Sequence, residues 1–500
     1  MSTGSAESTE SAVSLVPDTR PEEVDDVVRA AARSATVWSA SPRSVRAALL
    51  EAVADALGSA REALLPLAHR ETRLPVDRLG AELDRTTFQL RLLAAAVRDG
   101  GYLGVRVDPA DDQWLAGAPR PDLRRTRVPL GPVVVFPASN FPFAFGVAGG
   151  DTASALAAGC PVIVKAHPGH PGLSAALGEV VRAALASCAA PDSLFQVVFG
   201  RQAGVDALAH PLVRAGAFTG SIAGGRALLD VANGRSEPIP FFGELGSVNP
   251  VFVTARADAD RGAELAAGLV GSFTLSAGQL CTKPGVVLAP AGGRLVEAVR
   301  RSPLPPAAPM LNDLVEAGYL ARLAELRSAP GVRVLAGDGS PTASQPGPVV
   351  LTVPSSALRH SAGVLLEECF GPSTLVVEYA DQQELLPLAT GLAGQLTAGV
   401  FADEDDPTAG DLVGALTAKA GRILWNQWPT GVAVTHAQQH GGPYPASTAA
   451  GTTSVGTAAI ERFTRPVTYQ GLPDGLLPPE LRAASSVPRH LDGSYVTARS

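Results

Sequence analysis

The fold class predicted for this chain is a mostly parallel, doubly wound α/β sheet, and three observations predict it. Helical periodicity fills the stretch from Arg20 to about Asp99. Short apolar runs then recur between Gly131 and Phe218, with stretches of helical spacing between them. Finally, Cys281 stands in a turn between a helical stretch and a further apolar run. At 500 residues the chain exceeds one ordinary core and divides into two or three domains.

Residues 1–19 are rich in Ser, Thr and Glu and predict a loose N-terminus. Beyond them Val24, Val27, Val28 and Ala31 share a helical face, Leu49, Leu50, Val53 and Leu57 follow, and a third amphipathic run extends from Leu79 to Val97. From Gly100 to Arg127 the composition mixes Gly, Pro and Asp with Arg120, Arg124, Arg125 and Arg127. That stretch reads as an extended connector or an interface arm, its basic cluster alone as solvated surface.

At Pro129 the alternation begins. Residues 131–136 predict a buried strand, 145–158 a helix, 161–165 a strand, and 174–186 a helix with Leu177, Val180, Val181 and Leu185 on one side. Residues 194–199 and 215–218 add strands, and 223–232 a helix. A parallel sheet of this kind binds nucleotides at the carboxyl ends of its strands. No GxGxxG lies at a strand-to-helix junction, so a nucleotide must be held by other turns. One is Phe218–Gly225, where Gly220, Ser221 and Gly225 mark the passage from strand to helix and backbone N–H groups could face a pyrophosphate. An ordinary structural turn would look the same. Lys165 ends its strand and could reach ribose or phosphate oxygens, or simply face solvent.

Composition narrows the function. With 46% hydrophobic and 18% charged residues the chain is a folded protein, and a net charge of −8 gives no support for nucleic-acid binding. Asp403–Asp406, an acidic run, reads as a solvated loop. Cysteines 160, 188, 281 and 369 form neither CxxC nor zinc spacing, so no disulfide framework or metal site is expected and a reducing cytoplasm fits. There is no apolar h-region and no run of about 18 apolar residues, which argues against secretion and membrane spanning.

The chemistry centres on three residues. Gly278 bends the backbone before Cys281 and Pro284 forbids helix after it, so the thiol is presented at a crevice; a lone cysteine is otherwise usually a small core hydrophobe. Glu244, set between apolar residues and glycines, would lose hydration, so that its pKa rises and it can serve as a base. Asn140, among prolines and aromatics, could donate its amide to a developing oxyanion or cap the following helix.

Six motifs match in order from about residue 20 to 475: PASNFPF at 137–143, VIVK at 162–165, FTGS at 218–221, ELGSVNP at 244–250, GQLCT at 278–282 and EECFGP at 367–372. On these the chain resembles the aldehyde dehydrogenase superfamily. KAHPGHP (165–171), HGGPYPAST (440–448) and TTSVGTAAIERF (452–463) look most like the branch that oxidises 2-oxoglutarate semialdehyde, also called 2,5-dioxopentanoate. The resemblance implies two Rossmann-like parallel-sheet domains plus a small oligomerisation element. Residues 20–106 and 129–243 would be the cofactor domain, 244–440 the catalytic domain, 107–128 with 441–480 the bridging element, and 481–500 a C-terminal tail. A homodimer or homotetramer would follow.

The resemblance also implies that Cys281 is the nucleophile, Asn140 an oxyanion donor, and Glu244 the base that activates water against the thioester. Lys165, Gly220, Ser221, Gly225, Glu368 and Phe370 would hold NADP or NAD. Where NAD-preferring relatives carry a glutamate three residues after the lysine, this chain has Pro168, and Arg201 could pair with a 2′-phosphate, so NADP should serve at least as well as NAD. Phe141, Phe145, Thr282 and Trp428 would line the substrate tunnel or pack in the core. Alternatives are a broad-range aliphatic aldehyde dehydrogenase, a CoA-acylating enzyme, whose relatives generally lack the glutamate of the ELG motif, and a non-catalytic cofactor-binding relative.

Overall fold

Proline and glycine punctuate the N-terminal helices. α1 (Pro21–Ser39) opens on a proline, and the Arg20 N–H donates to the Glu23 carboxylate at 2.9 Å to close its first turn. α2 (Arg43–Ser59), α3 (Arg61–Thr72) and α4 (Val76–Asp99) follow, and α4 stops where Gly100 turns left-handed at φ 83°. Val24, Val28, Ala31, Leu49, Leu50, Val53 and Leu57 are all buried, as the helical spacing requires. Truncating one such leucine to alanine costs ~2–5 kcal/mol. The computed structural model describes residues 16–497 apart from 339–340 and 343–344, so most of the predicted loose N-terminus lies outside the described residues.

The stretch after α4 is not a bare connector. It forms β1 (Val105–Asp108), β2 (Asp111–Leu115), β3 (Ala118–Arg120) and β4 (Leu123–Pro129). Then come β5 (Val133–Phe136), α5 (Gly150–Ala158), β6 (Val162–Lys165), α6 (Pro171–Ser187), β7 (Phe195–Val198), α7 (Arg201–Ala209), β8 (Ala215–Thr219), α8 (Ile222–Asn233) and β9 (Phe241–Glu244). Their strands make an all-parallel sheet in the order β7-β6-β5-β8-β9. α5 starts five residues later than the spacing suggests, because residues 137–149 coil too tightly for a helix. A Cβ on Gly146 would lie 1.7 Å from the Pro142 carbonyl oxygen.

The second half repeats the plan with β10 (Val251–Val253), α9 (Ala255–Thr274), β11 (Val286–Pro290), α10 (Arg294–Arg301), α11 (Asp313–Ser328) and β12 (Arg333–Ala336). After the hairpin β13 (Pro341–Thr342) and β14 (Gln345–Pro346) come β15 (Val349–Pro354), α12 (Leu358–Leu365), β16 (Ser373–Tyr379), α13 (Leu385–Gly391), β17 (Gln395–Phe401), α14 (Ala409–Thr417) and β18 (Ala420–Trp425). The sheet order is β12-β15-β16-β11-β10-β17-β18, parallel except for β12 at its edge. The acidic run 403–406 is only partly solvated: Asp403 and Asp405 pair with Arg256, and Asp406 is buried.

A third, five-stranded sheet joins the C-terminal segment to the stretch after α4 in the order β19-β4-β1-β20-β21, where β19 is Thr464–Gln470, β20 Arg489–Leu491 and β21 Ser494–Val496. The stretch read as a C-terminal tail therefore contributes two strands, β20 lying parallel to β1. No helix among the described residues is long and apolar enough to cross a membrane.

Candidate active site

The loop between α9 and β11 is held in an unfavourable backbone shape. Ser276, Ala277 and Gly278 all lie in the left-handed region, at φ 53°, 52° and 66°. For the two non-glycines such a conformation costs ~1–3 kcal/mol each and persists only when the surroundings enforce it. The enforcement is visible. A Cβ on Gly278 would meet the Gly371 carbonyl oxygen of the EECFGP motif at 2.1 Å. Asn249 of the ELGSVNP motif donates from Nδ2 to the Cys281 carbonyl at 2.8 Å and to the Lys283 carbonyl at 2.9 Å, while its Oδ1 accepts from Ser247 and Thr397. Two motifs distant in sequence thus fix the turn of a third, and Cys281 emerges from it half-buried.

Asn140 meets the same loop from the other side, its Nδ2 donating to the Gln279 carbonyl at 3.0 Å. One N–H of the amide anchors it there and the second remains for another acceptor. Asn140 does not cap α5, whose N-cap is Gly149. Buried Glu82 of α4 accepts from the Phe143 and Ala144 N–H groups at 2.7 and 3.0 Å, and Arg78 donates to the Asn140 carbonyl at 2.7 Å.

Glu244 ends β9 and is buried. His440, fully enclosed, places Nε2 2.9 Å from Glu244 Oε1 and 3.5 Å from Cys281 Sγ. The second carboxylate oxygen accepts a short hydrogen bond from Ser454 Oγ. The expectation that Glu244 is pushed up is corrected here. Burial does raise it, but the His440 charge, the His440 and Ser454 contacts and the more distant Arg462 outweigh that, and it sits below its ordinary value. His440 is opposed by burial and raised to about 10 by Glu244 and Cys281.

The match to the aldehyde dehydrogenase family spans residues 5–468. The chain belongs to that family. This aldehyde dehydrogenase is 47% identical over 466 residues to alpha-ketoglutaric semialdehyde dehydrogenase 2 of Azospirillum brasilense, covering 91% of this chain and 88% of that one. It is 41% identical to the alpha-ketoglutaric semialdehyde dehydrogenase of Acinetobacter baylyi, over 92% and 89% of the two chains. Among solved structures it shares its fold with the NADP-dependent glyceraldehyde-3-phosphate dehydrogenase of Bacillus halodurans. There the TM-score is 0.76 and the identity 23%, over 91% and 92% of the chains. The chain is accordingly an oxidoreductase that converts an aldehyde to an acid with NAD(P).

The sheet of this aldehyde dehydrogenase gathers the expected cofactor residues. Lys165 ends β6, Arg201 opens α7 just beyond β7, and Gly220, Ser221 and Gly225 form the passage from β8 to α8, all at one carboxyl edge with Glu244 and the 137–140 loop. The Ser221 hydroxyl caps α8 by accepting from the Gly224 N–H at 3.2 Å. Glu368 reaches the same region from the other sheet, its Oε2 2.6 Å from where a Cβ on Gly246 would stand, while Phe370 packs against the first sheet's core. This edge of glycine turns, a half-buried lysine and a helix N-terminus suits a dinucleotide.

Of the four expected substrate residues, the structure brings two toward the thiol from elsewhere in the chain, and Thr282 adjoins it in sequence. Phe145 packs edge-on to His440 at 6.4 Å and against Phe141 at 5.8 Å. The side chains of the other two are engaged elsewhere. Buried Thr282 accepts from the Gly431 N–H at 3.1 Å, and Trp428 packs on Phe401 and over Gly268 of α9.

Sequence reading missed four groups. His440 entered only as part of a motif. Arg85 of α4 stands over the Phe145 ring, its Nη1 buried without a hydrogen-bond partner among the described residues. Arg422 of β18 is half-buried, and the charges of both arginines interact with Cys281. Asp18 lies against Gly200, where an added Cβ would meet its Oδ2 at 2.7 Å, and its charge reaches Lys165. None carries a local signal, since each meets the site only through residues far away in sequence.

Proposed function

We propose that the protein oxidises 2-oxoglutarate semialdehyde to 2-oxoglutarate through a thiohemiacetal and a thioester on Cys281. The observation that carries the substrate class is the pair of cations beside an otherwise aromatic approach to the thiol. Arg85, with its unpartnered N–H, and Arg422 supply the positive charge that an anionic semialdehyde needs. The names of the two relatives support the same substrate.

Cys281 attacks the aldehyde carbon, and the charge passes to the carbonyl oxygen, which the free Asn140 N–H and the Cys281 backbone N–H receive. Losing one such donor typically costs ~10²–10³ in rate. NAD(P), when bound, supplies the hydride acceptor. Lys165, Arg201, Gly220, Ser221, Gly225, Glu368 and Phe370 would hold it. Glu244 then takes a proton from the water that opens the thioester, and the acid departs. Its presence speaks against transfer to CoA. A broad aliphatic range is favoured by Phe141 and Phe145 but leaves the buried, unpartnered Nη1 of Arg85 without a role, whereas Arg422 also donates to the Pro429 and Gly431 carbonyls.

NADP should serve at least as well as NAD, because Pro168 replaces the acidic discriminator and Arg201 is exposed beside the edge. A homodimer or homotetramer would form through the small five-stranded sheet and the separate β2–β3 hairpin that lies between β1 and β4 in the chain and exposes Trp114 and Leu115.

The test is a burst of reduced cofactor with 2-oxoglutarate semialdehyde. Cys281→Ala should abolish the burst; Glu244→Ala should keep its amplitude and slow turnover ~10²–10³-fold. Normal turnover in Glu244→Ala would remove the water-activating role.

A further inference from the structure

We propose that His440 is the proton acceptor for Cys281, so that thiol, imidazole and the Glu244 carboxylate act as one relay. This rests on the reading of Cys281 as nucleophile and adds a residue to it. The geometry is direct: Nε2 stands between the two reactive groups, 3.5 Å from Sγ and 2.9 Å from Oε1, and the three donor atoms lie within 4.8 Å of one another. Here Nδ1 is buried with no hydrogen-bond partner among the described residues, and both polar contacts of the ring go to Glu244 and Cys281.

The surroundings hold the ring in place. The His440 N–H donates to Thr453 Oγ1 at 2.8 Å, its carbonyl accepts from the Ser454 N–H at 2.8 Å, and Ser454 Oγ binds the far oxygen of Glu244. Phe145 covers one edge of the imidazole. In the step proposed, the neutral imidazole takes the thiol proton: the S–H bond breaks and an Nε2–H bond forms, leaving a thiolate–imidazolium pair in which the neighbouring negative charges keep the proton on His440. No electrons are exchanged, and the carboxylate 2.9 Å away balances the new positive charge. The other charged groups facing the cluster are Arg85 from α4, Arg422 from β18 and Arg462, the last paired with buried Asp151 at 2.6 Å. The arginines favour an anionic sulfur or carboxylate but cannot accept a proton. His440 is the group in contact with Sγ that can.

The experiment is alkylation of Cys281 by iodoacetamide across pH 5.5–9.5, followed on the Cys281 peptide by mass spectrometry, with neither aldehyde nor cofactor present. His440→Phe keeps the ring volume and removes the base. Wild type should react about tenfold or more faster than His440→Phe at pH 6.5, and the two should converge above about pH 9, where an ordinary thiol of pKa about 8.5 ionises unaided. His440→Gln, which keeps a polar side chain, should follow His440→Phe and serves if the phenylalanine does not fold. Profiles of folded variants that superpose on wild type would overturn the relay. Because alkylation needs no turnover, that result leaves the oxidation chemistry standing. Conversely, a hydride burst persisting in Cys281→Ser would overturn the nucleophile reading on which the relay rests, even where the alkylation gap between wild type and His440→Phe stands.

Discussion

Glu82 and Glu244 are 4% and 5% exposed, and burial pushes both toward the neutral acid, yet they end on opposite sides of the ordinary value. Glu82 is raised to about 7, because burial outweighs Arg78, Arg85 and two backbone N–H donors. Glu244 is lowered, because an imidazole 2.9 Å away and a serine hydroxyl outweigh burial. The difference teaches that burial does not by itself poise a carboxylate for chemistry. What decides is the partner: Arg78 at 3.4 Å from Glu82 makes a weaker contact than His440 makes with Glu244.

The largest effect that can break this comparison is on stability. Glu82 holds its proton more tightly folded than unfolded, so its contribution is full below about pH 4.5 and is lost as pH rises to about 7. The window corresponds to about 3 kcal/mol. For Glu244 the sign is opposite: its contribution is present above the ordinary carboxylate range and is lost as pH falls through the lowered value. Melting wild type and Glu82→Gln at pH 5, 6 and 7.5 checks this. The wild-type advantage should shrink steadily with rising pH. Parallel curves would show that Glu82 stays ionised throughout and that the contrast with Glu244 is false.

Next in size is Arg85, one turn along α4 from Glu82, whose buried positive charge faces the thiol without a hydrogen-bond partner for Nη1 among the described residues. Arg85→Met should lower kcat/KM for 2-oxoglutarate semialdehyde by ~10–100-fold, the worth of a charged hydrogen bond, and leave a neutral aliphatic aldehyde nearly unchanged. Equal losses on both substrates would assign Arg85 to the thiolate or to packing instead of the substrate carboxylate.

Why Glu244 went in the unexpected direction also shows what the sequence can and cannot convey. The parallel strands 133–136, 162–165 and 215–219 are short apolar runs whose period is plain, and the bend at Cys281 is carried by local Gly278 and Pro284. The neighbours of Glu244 in the chain predict desolvation correctly. Its countercharge comes from His440, which no local pattern links to it. The same holds for β20 and β21: three residues each are too few to show a period, and β20 pairs with β1, far earlier in the chain. Residues 145–149 carry helical spacing, yet Pro142 and the close approach at Gly146 override it.

A third carboxylate extends the comparison to the exposed limit. Asp18 lies on the surface beside Gly200, held by the pairing of Thr19 with Phe199, whose N–H donates to Thr19 Oγ1 at 2.9 Å while the Thr19 N–H donates back to its carbonyl. Burial lowers Lys165, and Asp18 opposes that shift while Arg201 adds to it, so both charges are felt where the adenosine ribose would rest. Asp18 and Arg201 thus act on Lys165 with opposite sign, and beside a bound NADP the first would repel a 2′-phosphate and the second attract it. Because the carboxylate is solvated and screened, its influence is the smallest of the three. Asp18→Asn should raise the NADP-to-NAD ratio of kcat/KM by roughly threefold to tenfold, and Arg201→Ala should lower it by a similar factor. A wild-type enzyme with a large preference for NAD, unmoved by either change, would mean that neither charge reads the ribose and that cofactor choice is made elsewhere on this edge.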